Sequence, residues 1–290
     1  MNWTLPTPPP FSLASIIRSH GWIQLAPFRQ DEQNGGFSHI TELDSGRVLE
    51  LRVQEADGGV NVEVAKQISR AEQKEIIRKI QWMLGLDQNF SEFYALAQQE
   101  PKLAKVVEKA QGRILRSPTL FEDTVKTILT TNTLWGGTIR MVAKLVSLYG
   151  APLPGDSGHH AFPTPQKLAK LDVDKLRSEA RLGYRSPYIL ELARSIDSGG
   201  LDLEALKASP LPTLELRKQL LQIKGVGDYA VANLMILLGR YDYLPVDSWA
   251  LKMVSQEWHG GQPIGRAEVE AAFERWGSWK GLVYWFWEWS

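Results

Sequence analysis

The chain has no cysteine among its 290 residues. It therefore cannot hold a disulfide framework, a thiolate zinc site or a cysteine-ligated iron–sulfur cluster. The first ten residues, MNWTLPTPPP, lack the basic start and the apolar core of a signal peptide. No apolar run approaches the ~18–20 residues that a membrane-spanning helix needs. From these absences we expect a cytoplasmic protein with no membrane partner.

A surplus of either charge is also missing, because 33 basic side chains balance 33 acidic ones. Global charge therefore gives no indication of a nucleic-acid partner. Residues 101–150 differ from the average, with eight basic and three acidic side chains. A basic segment can hold a phosphate backbone, but taken alone it is better explained as a solvated helix surface.

The first ~85 residues have a mixed α/β pattern. Residues 48–53 and 60–64 alternate apolar and polar positions, and Asp57-Gly58-Gly59 lies between them, which predicts a β-hairpin. Ser69 and Glu72 have capping-box spacing at the start of a helix that Gly85 can end. A small N-terminal α+β part is therefore predicted.

Beyond this part the pattern is almost entirely helical. Helices are predicted to begin at Thr119 and at Pro163-Thr164-Pro165, and a further helix to run from Tyr188 to Ile196. Residues 156–160, Asp-Ser-Gly-His-His, predict a polar loop, and their histidines lack the further ligands of a metal site. The predicted fold is mostly α with a small N-terminal α+β domain.

Residues 213–239 predict two helices joined by a tight turn. Thr213 and Asp228 are the expected N-caps, and Gly239 ends the second helix. The turn Gly225-Val226-Gly227 can point backbone N–H groups outward just before a helix N-terminus, a geometry that binds anionic oxygens. The alternative is a helix–helix turn that uses glycine for close packing, but in this sequence context we favour phosphate binding.

Several segments together resemble the helix-hairpin-helix (HhH-GPD) superfamily of DNA glycosylases. They are Leu-Gln-Ile-Lys-Gly-Val-Gly at 221–227, Pro-Val-Asp at 245–247, and the closing tryptophan-rich residues 276–289. The last segment is similar to the final helix of the 3-methyladenine DNA glycosylase II and 8-oxoguanine glycosylase groups. The resemblance covers residues ~115–290.

The resemblance implies a helix-hairpin-helix glycosylase architecture. Its units would be a small sheet domain at 1–85, a helical domain at 86–115 plus 247–290 that completes the base pocket, and a helical domain at 116–246 with the hairpin. It implies double-stranded DNA as the partner, and we expect a monomer.

Asp247 precedes a helical run and follows Pro245, so local sequence favours an N-cap. The resemblance instead places Asp247 at the family's catalytic carboxylate. Breaking an N-glycosidic bond builds positive charge on the sugar, which a nearby anion stabilises, and the same carboxylate can orient the attacking water. No metal or other cofactor is needed for that step.

Position 229 is lysine in bifunctional members of the family, where it attacks the sugar and forms a Schiff base. This chain has Tyr229, and Lys224 lies before the turn. The resemblance therefore implies a monofunctional glycosylase that leaves an abasic site.

The resemblance also assigns the remaining site residues. Phosphate contacts fall on Gly225, Val226, Gly227 and Asp228; the base-stack plug and intercalating residues are Asn132, Tyr184 and Arg185, the last contacting the unpaired partner base. The base pocket falls on Tyr229, Asn233, Tyr284, Trp285 and Glu288. Backbone carbonyls of Leu221, Ile223 and Val226 would hold an alkali or alkaline-earth ion at the hairpin.

Aromatic pocket walls favour a cationic alkylated purine, through cation–π attraction of ~0.5–2 kcal/mol per ring. Three alternatives stay open at this point. One is a glycosylase for 8-oxoguanine or another oxidised or deaminated base. The others are a non-catalytic DNA-binding protein that uses only the hairpin, and a helical interaction protein.

Overall fold

The N-terminal part of the fold is a five-stranded antiparallel sheet in the spatial order β1-β5-β4-β3-β2. The structure is a computed structural model that describes residues 1–289. The strands are β1 Asn2–Pro6, β2 Phe28–Asp31, β3 Gly36–Glu42, β4 Val48–Ala56 and β5 Gly59–Glu63.

The predicted hairpin is confirmed as β4 and β5. Val53 lies opposite Val62, and both side chains are fully buried, as the alternating pattern requires. The turn is Asp57-Gly58, where Gly58 has φ +75°. Strand β1 pairs antiparallel with β5 and was not predicted, because a five-residue edge strand that ends in proline carries little sequence signal.

The rest of the fold is mainly helical, as predicted. The helices are α1 Leu13–Ile17, α2 Arg70–Leu84, α3 Ser91–Ala97, α4 Ala104–Glu108, α5 Leu120–Thr130, α6 Trp135–Tyr149, α7 Pro165–Ala169, α8 Val173–Ser178, α9 Ser186–Asp197, α10 Thr213–Leu221, α11 Asp228–Leu237, α12 Ser248–Trp258, α13 Arg266–Phe273 and α14 Lys280–Phe286. Short 3₁₀ turns lie at Gly21–Gln24, Pro101–Leu103, Gly183–Arg185, Glu204–Ala208 and Glu274–Trp279.

Helix ends follow local chemistry where the sequence signal was strong. Ser69 and Glu72 form the predicted capping box of α2, and Gly85 ends that helix at φ +61°. Thr119 caps α5 through its side chain, which accepts the Glu122 amide at 3.2 Å. No helix within residues 1–289 is both long enough and apolar enough to cross a membrane.

The prediction of a loop at residues 156–160 is wrong. These residues form strand β7, Asp156–His160, which pairs with the short strand β6, Pro152–Leu153. Gly155, with φ +92°, allows the tight reversal between them. In the described part of the chain no group of acidic and histidine side chains could hold a metal ion.

The basic segment 101–150 is not a uniform solvated surface. Arg113, Arg116 and Lys126 are buried, with exposed fractions of 3%, 1% and 0%. Lys126 Nζ contacts Glu122 at 2.6 Å, and Glu122 accepts His39 Nε2 from β3 at 3.2 Å. Although burial opposes ionisation, Lys126 and His39 hold the pKa of Glu122 at about 2. This buried network joins the sheet to α5.

Buried apolar side chains from all three predicted units belong to one contiguous core. The N-terminal sheet therefore packs directly on the helical body. The boundaries predicted at residues 85, 115 and 246 remain a prediction.

Candidate active site

The turn between α10 and α11 is closed by a hydrogen bond from the Val226 amide to the Ile223 carbonyl at 3.0 Å. Gly225 has φ +86°, and a Cβ there would come within 2.8 Å of the Tyr188 ring. Glycine is therefore required at 225 by the backbone conformation and by packing. Close packing, the alternative explanation of the motif, accounts for this glycine.

Close packing does not account for the second glycine of the turn. Gly227 has φ −95°, which any residue can adopt, and a Cβ there would meet nothing within 4 Å. The fold therefore leaves open space at 227, directly against the backbone that begins α11. Such a space suits the close approach of a ligand to backbone amides.

Both N-caps predicted for the hairpin are wrong by one residue. Pro212 and Gly227 occupy the cap positions, so Thr213 and Asp228 are the first residues inside their helices. The Thr213 hydroxyl instead donates to Asp242 at 2.7 Å, and the exposed Asp228 carboxylate pairs with Arg217. Since no side chain caps α11, its first amides have no side-chain acceptor.

The predicted plug residue lies on the opposite side of the same groove. Asn132 is exposed, just beyond the end of α5, with φ +46°. Its amide Nδ2 contacts the Tyr184 hydroxyl at 3.3 Å. A groove of about 800 Å³ is lined by residues 130–133, Tyr184, Tyr188 and hairpin residues 221–230. The structure thus brings the predicted phosphate and plug residues together.

Arg185 was predicted to contact the unpaired partner base, but its side chain does not line the open groove. The side chain is 5% exposed, and Nη2 donates to the backbone carbonyls of Thr131 and, at 3.2 Å, of Asn132. The guanidinium also lies against the Tyr184 ring, 4.4 Å from its centroid. In this arrangement the guanidinium is bound to the backbone of Thr131 and Asn132 and is not free to contact a partner base.

Beside the groove lies a cavity of about 360 Å³ with aromatic walls. Three predicted pocket residues line it: Tyr229, Asn233 and Trp285. Tyr284 and Glu288 lie outside this lining. The Tyr284 ring is buried against Trp249 and Phe273, and the Glu288 carboxylate pairs with Lys105 at 3.1 Å. Adjacent residues of α14 point in different directions, so only Trp285 turns to the cavity.

The sequence analysis missed the other ten lining residues, among them His20, Gly21, Trp22 and Trp135. The first three belong to the N-terminal part, and Trp135 begins α6. A Cβ on Gly21 would come within 2.3 Å of the Trp135 indole, so this glycine lets the two walls meet. No local pattern links positions 20 and 135, and no periodicity could have found them.

The indole N–H groups of the cavity wall are all engaged by the protein. Trp22 Nε1 donates to Asp123 at 2.8 Å, Trp135 Nε1 to Gln24 at 2.8 Å, and Trp285 Nε1 to the Ser19 carbonyl at 3.3 Å. Burial raises the pKa of Asp123 to about 6. The three rings therefore contribute no unpaired N–H donor to the cavity.

His20 is a neutral wall residue. Its Nε2 contacts the Leu115 carbonyl at 2.6 Å, which can only accept, and its Nδ1 contacts the Trp22 amide at 3.3 Å, which can only donate. These partners fix the tautomer with the proton on Nε2. Burial, with a smaller contribution from Lys126, lowers the pKa of His20 to about 4. His20 therefore adds no positive charge at neutral pH.

Asp247 is the N-cap of α12, and its Oδ1 accepts the Ala250 amide at 2.8 Å. The residue is exposed. It lies beside Tyr284, whose pKa is raised by burial and by the Asp247 charge. Asp247 is outside the lining of both the cavity and the groove, but Trp285, next to Tyr284 in the chain, faces the cavity.

Lys224 lines the groove but not the cavity. Its Nζ pairs with Glu191 at 2.8 Å, and the side chain is 64% exposed. Tyr229, by contrast, is 52% exposed and lines the cavity and the groove together. Thr130 and Thr133 are also shared by the two spaces. The cavity and the groove therefore meet at a common wall.

Comparison with known proteins identifies the family of the chain and the proteins that share its fold. The chain is similar to DNA-3-methyladenine glycosylase of Bacillus subtilis (strain 168), with 24% identity over 190 residues, 64% of this chain and 62% of the relative. The chain thus spans less than two thirds of that relative's length.

Two solved structures share the fold. One is 3-methyladenine DNA-glycosylase from Archaeoglobus fulgidus, with a TM-score of 0.78 and 23% identity over 98% of this chain and 96% of that chain. The other is the apo-form of Clostridium acetobutylicum 8-oxoguanine glycosylase/lyase, with a TM-score of 0.72 and 24% identity over 95% and 91% of the two chains. Residues 125–278, just over half of the chain, match the family described as HhH-GPD superfamily base excision DNA repair protein. The chain belongs to the HhH-GPD superfamily of base excision DNA repair proteins.

Proposed function

We propose that this protein is a monofunctional DNA glycosylase that hydrolyses the N-glycosidic bond of a damaged base and leaves an abasic site. The observation that carries the proposal is the common wall of groove and cavity at Thr130, Thr133 and Tyr229. A base within a duplex must be everted before chemistry can reach it. A strand held in the groove can deliver an everted base into the adjoining cavity.

The strand is held by the amides at the start of α11. These amides lack a side-chain cap, and the open space at Gly227 allows a phosphate to approach them. Arg217 draws the Asp228 carboxylate into an ion pair, which weakens its repulsion of an anion. Backbone binding of this kind explains how a chain of zero net charge can hold DNA.

Asp247 supplies the anion for the reaction. The Ala250 amide fixes one carboxylate oxygen, Oδ1, and no second hydrogen bond of this carboxylate is found within residues 1–289. The other oxygen is available to stabilise the cationic sugar or to orient the attacking water. The N-cap and catalytic roles of Asp247 are therefore compatible.

The absence of strand cleavage follows from the residue at 229. A tyrosine at the cavity mouth cannot form a Schiff base with the sugar, and Lys224 is paired with Glu191 away from it. Attack by water is the remaining route.

We further propose that the preferred lesion is a cationic alkylated purine. The rings of Trp22, Trp135 and Trp285 line the cavity, while their N–H groups are bound elsewhere. A neutral His20 adds no repulsion. Cation–π attraction of ~0.5–2 kcal/mol per ring then favours a positively charged base over a neutral one.

An alkali or alkaline-earth ion at the hairpin is a further part of the proposal. Leu221, Ile223 and Val226 all line the groove, and their carbonyl oxygens are ligands that hard cations prefer. A bound ion would add positive charge facing the phosphate. Replacing K⁺ by a bulky tetraalkylammonium ion at constant ionic strength is expected to weaken DNA binding, and unchanged affinity would argue against the ion.

The test measures release of methylated purines and of 8-oxoguanine from defined duplexes by wild type and by Asp247→Asn. Asparagine is also a good N-cap, so the helix keeps its cap while the charge is lost. We expect release of methylated bases, a fall of at least about a hundredfold in Asp247→Asn, and unchanged DNA affinity. Undiminished release by this variant would refute the catalytic role, and preferential release of 8-oxoguanine would refute the lesion assignment.

Borohydride trapping during the same reaction tests the monofunctional assignment. We expect no covalent protein–DNA adduct, since no lysine lies at position 229. An adduct formed by wild type and lost in Lys224→Met would show a lyase that uses Lys224.

A further inference from the structure

The segment that carries the plug residue is exposed and has an unusual backbone conformation. Helix α5 ends at Thr130, and α6 begins at Trp135. Between them Asn132 has φ +46°, a left-handed conformation that is uncommon for non-glycine residues, although asparagine adopts it more readily than most. Such a conformation persists only where the surroundings hold it. The residues that hold this segment therefore decide where Asn132 points.

Arg185 provides the principal contacts to this backbone. Its Nη2 donates to the carbonyls of Thr131 and Asn132, which flank the left-handed residue and follow the end of α5. A cation at carbonyls beyond a helix C-terminus is electrostatically favourable. The guanidinium is 5% exposed, so water cannot easily replace these bonds.

Tyr184 completes the support from the side of the groove. Its ring stacks on the Arg185 guanidinium at 4.4 Å, and its hydroxyl contacts the Asn132 side chain at 3.3 Å. The hydroxyl also contacts the Thr131 carbonyl at 3.4 Å. Backbone and side chain of Asn132 are thus held by two consecutive residues of the Gly183–Arg185 turn.

On the basis of the function proposed above, we propose that Arg185 is a positioning residue that holds Asn132 ready to fill the gap left by an everted base. It acts through the carbonyls of Thr131 and Asn132 and not by contact with the unpaired partner base. To reach that base, the guanidinium would have to leave the Thr131 carbonyl, whose other donor is the Tyr184 hydroxyl, and the Asn132 carbonyl, which has no other donor within residues 1–289. The protein therefore does not select the opposite base through Arg185.

The first measurement needs no DNA. Hydrogen exchange of the amides at 131–134 is compared in wild type, Arg185→Met, Arg185→Lys and the control Arg116→Met. Arg116 is also buried, at 1% exposed, and donates to the Trp82 carbonyl and to Gln88, outside groove and cavity. We expect faster exchange in Arg185→Met alone, with partial protection in Arg185→Lys. Unchanged exchange in Arg185→Met, or equal acceleration in Arg116→Met, would overturn the positioning role.

The second measurement is release of one methylated base placed opposite each of the four normal bases. We expect Arg185→Met to lower kcat/KM by on the order of tenfold or more, by the same factor for all four duplexes. Asn132→Ala is expected to cause a similar loss, and the double variant Asn132→Ala/Arg185→Met no further loss. A loss confined to one opposite base, or additive losses, would refute the inference.

The two measurements separate failure of this inference from failure of the proposed function. If wild type releases no base, the glycosylase assignment fails, while the exchange result still tests the contact of Arg185 with the loop. If wild type is active and the losses depend on the opposite base, only the role given to Arg185 is wrong.

Discussion

The groove and the cavity are built in different ways. Most of the groove comes from one stretch of chain, residues 221–230, and its chemistry belongs to the backbone. The cavity takes its walls from residues near 20, 114, 135, 230 and 285, and its chemistry belongs to aromatic side chains. We therefore expect changes in the hairpin residues of the groove to alter DNA affinity and changes in the cavity to alter base release. The following predictions test that separation.

Among the changes that separate the groove from the cavity, Gly227→Asp is expected to have the largest effect. The fold does not use this glycine, but a carboxylate there would occupy the space proposed for a phosphate. We expect DNA affinity to fall roughly ten- to a hundredfold, which corresponds to losing a charge-assisted hydrogen bond, with little change in the free energy of unfolding. Titration of labelled duplex and urea unfolding measure the two quantities. Unchanged DNA affinity would show that the phosphate does not bind at this turn.

Gly225→Ala is the matched control in the same turn. This position needs φ +86°, and a Cβ would clash with the Tyr188 ring. We expect the free energy of unfolding to fall by about 1–3 kcal/mol. Comparison with Gly227→Ala, which should leave stability nearly unchanged, sharpens the contrast between the two glycines. Equal destabilisation by both variants would contradict the distinct roles given to them.

Trp22→Leu tests the cavity alone. Leucine keeps the wall apolar but removes one π face and leaves the Asp123 carboxylate without its indole donor. We expect kcat/KM for a cationic base to fall by roughly two- to thirtyfold, from a loss of ~0.5–2 kcal/mol. DNA affinity should stay the same. An equal loss for a neutral lesion would show that the ring acts only by filling space.

The smallest effect at neutral pH is that of His20 protonation, which becomes visible only on acidification. Its pKa is about 4 in the folded protein, against an ordinary value of 6.5. Between these values the unfolded chain binds more protons, so the free energy of unfolding falls as pH decreases from about 6.5 to about 4. The slope contributed by His20 cannot exceed about 1.4 kcal/mol per pH unit. The free energy of unfolding in urea is measured for wild type and His20→Gln between pH 4 and 7. Its pH slope should be steeper in wild type, and identical slopes would exclude the contribution of His20.

Sequence predicted the groove far better than the cavity for a physical reason. A turn and a helix N-terminus are local structures, so consecutive residues around Gly225 and Gly227 carry their signal. The wall formed by Trp22 and Trp135 depends on packing between residues more than a hundred positions apart. Even within the hairpin, Thr213 and Asp228 were misassigned, because N-cap preference locates a helix start only to within a residue.

Charge was also hard to interpret from sequence. The basic segment 101–150 contains Lys126, whose ammonium group is fully buried against Glu122. The family resemblance assigned Arg185 to a contact with the unpaired partner base, yet in the structure its partners are the carbonyls of Thr131 and Asn132. In both cases the sequence shows the charge but not the partner that the fold supplies.

The buried contact from His39 to Glu122 has a consequence for the size of the smallest working protein. A version starting after residue 85 would keep the hairpin, but Glu122 would lose His39 and keep only Lys126, and the cavity would lose the walls formed by His20, Gly21 and Trp22. Because the sheet and the helical body share one core, such a fragment should be less stable and should lose base release. The N-terminal strands are therefore required, and any shortened variant has to retain them.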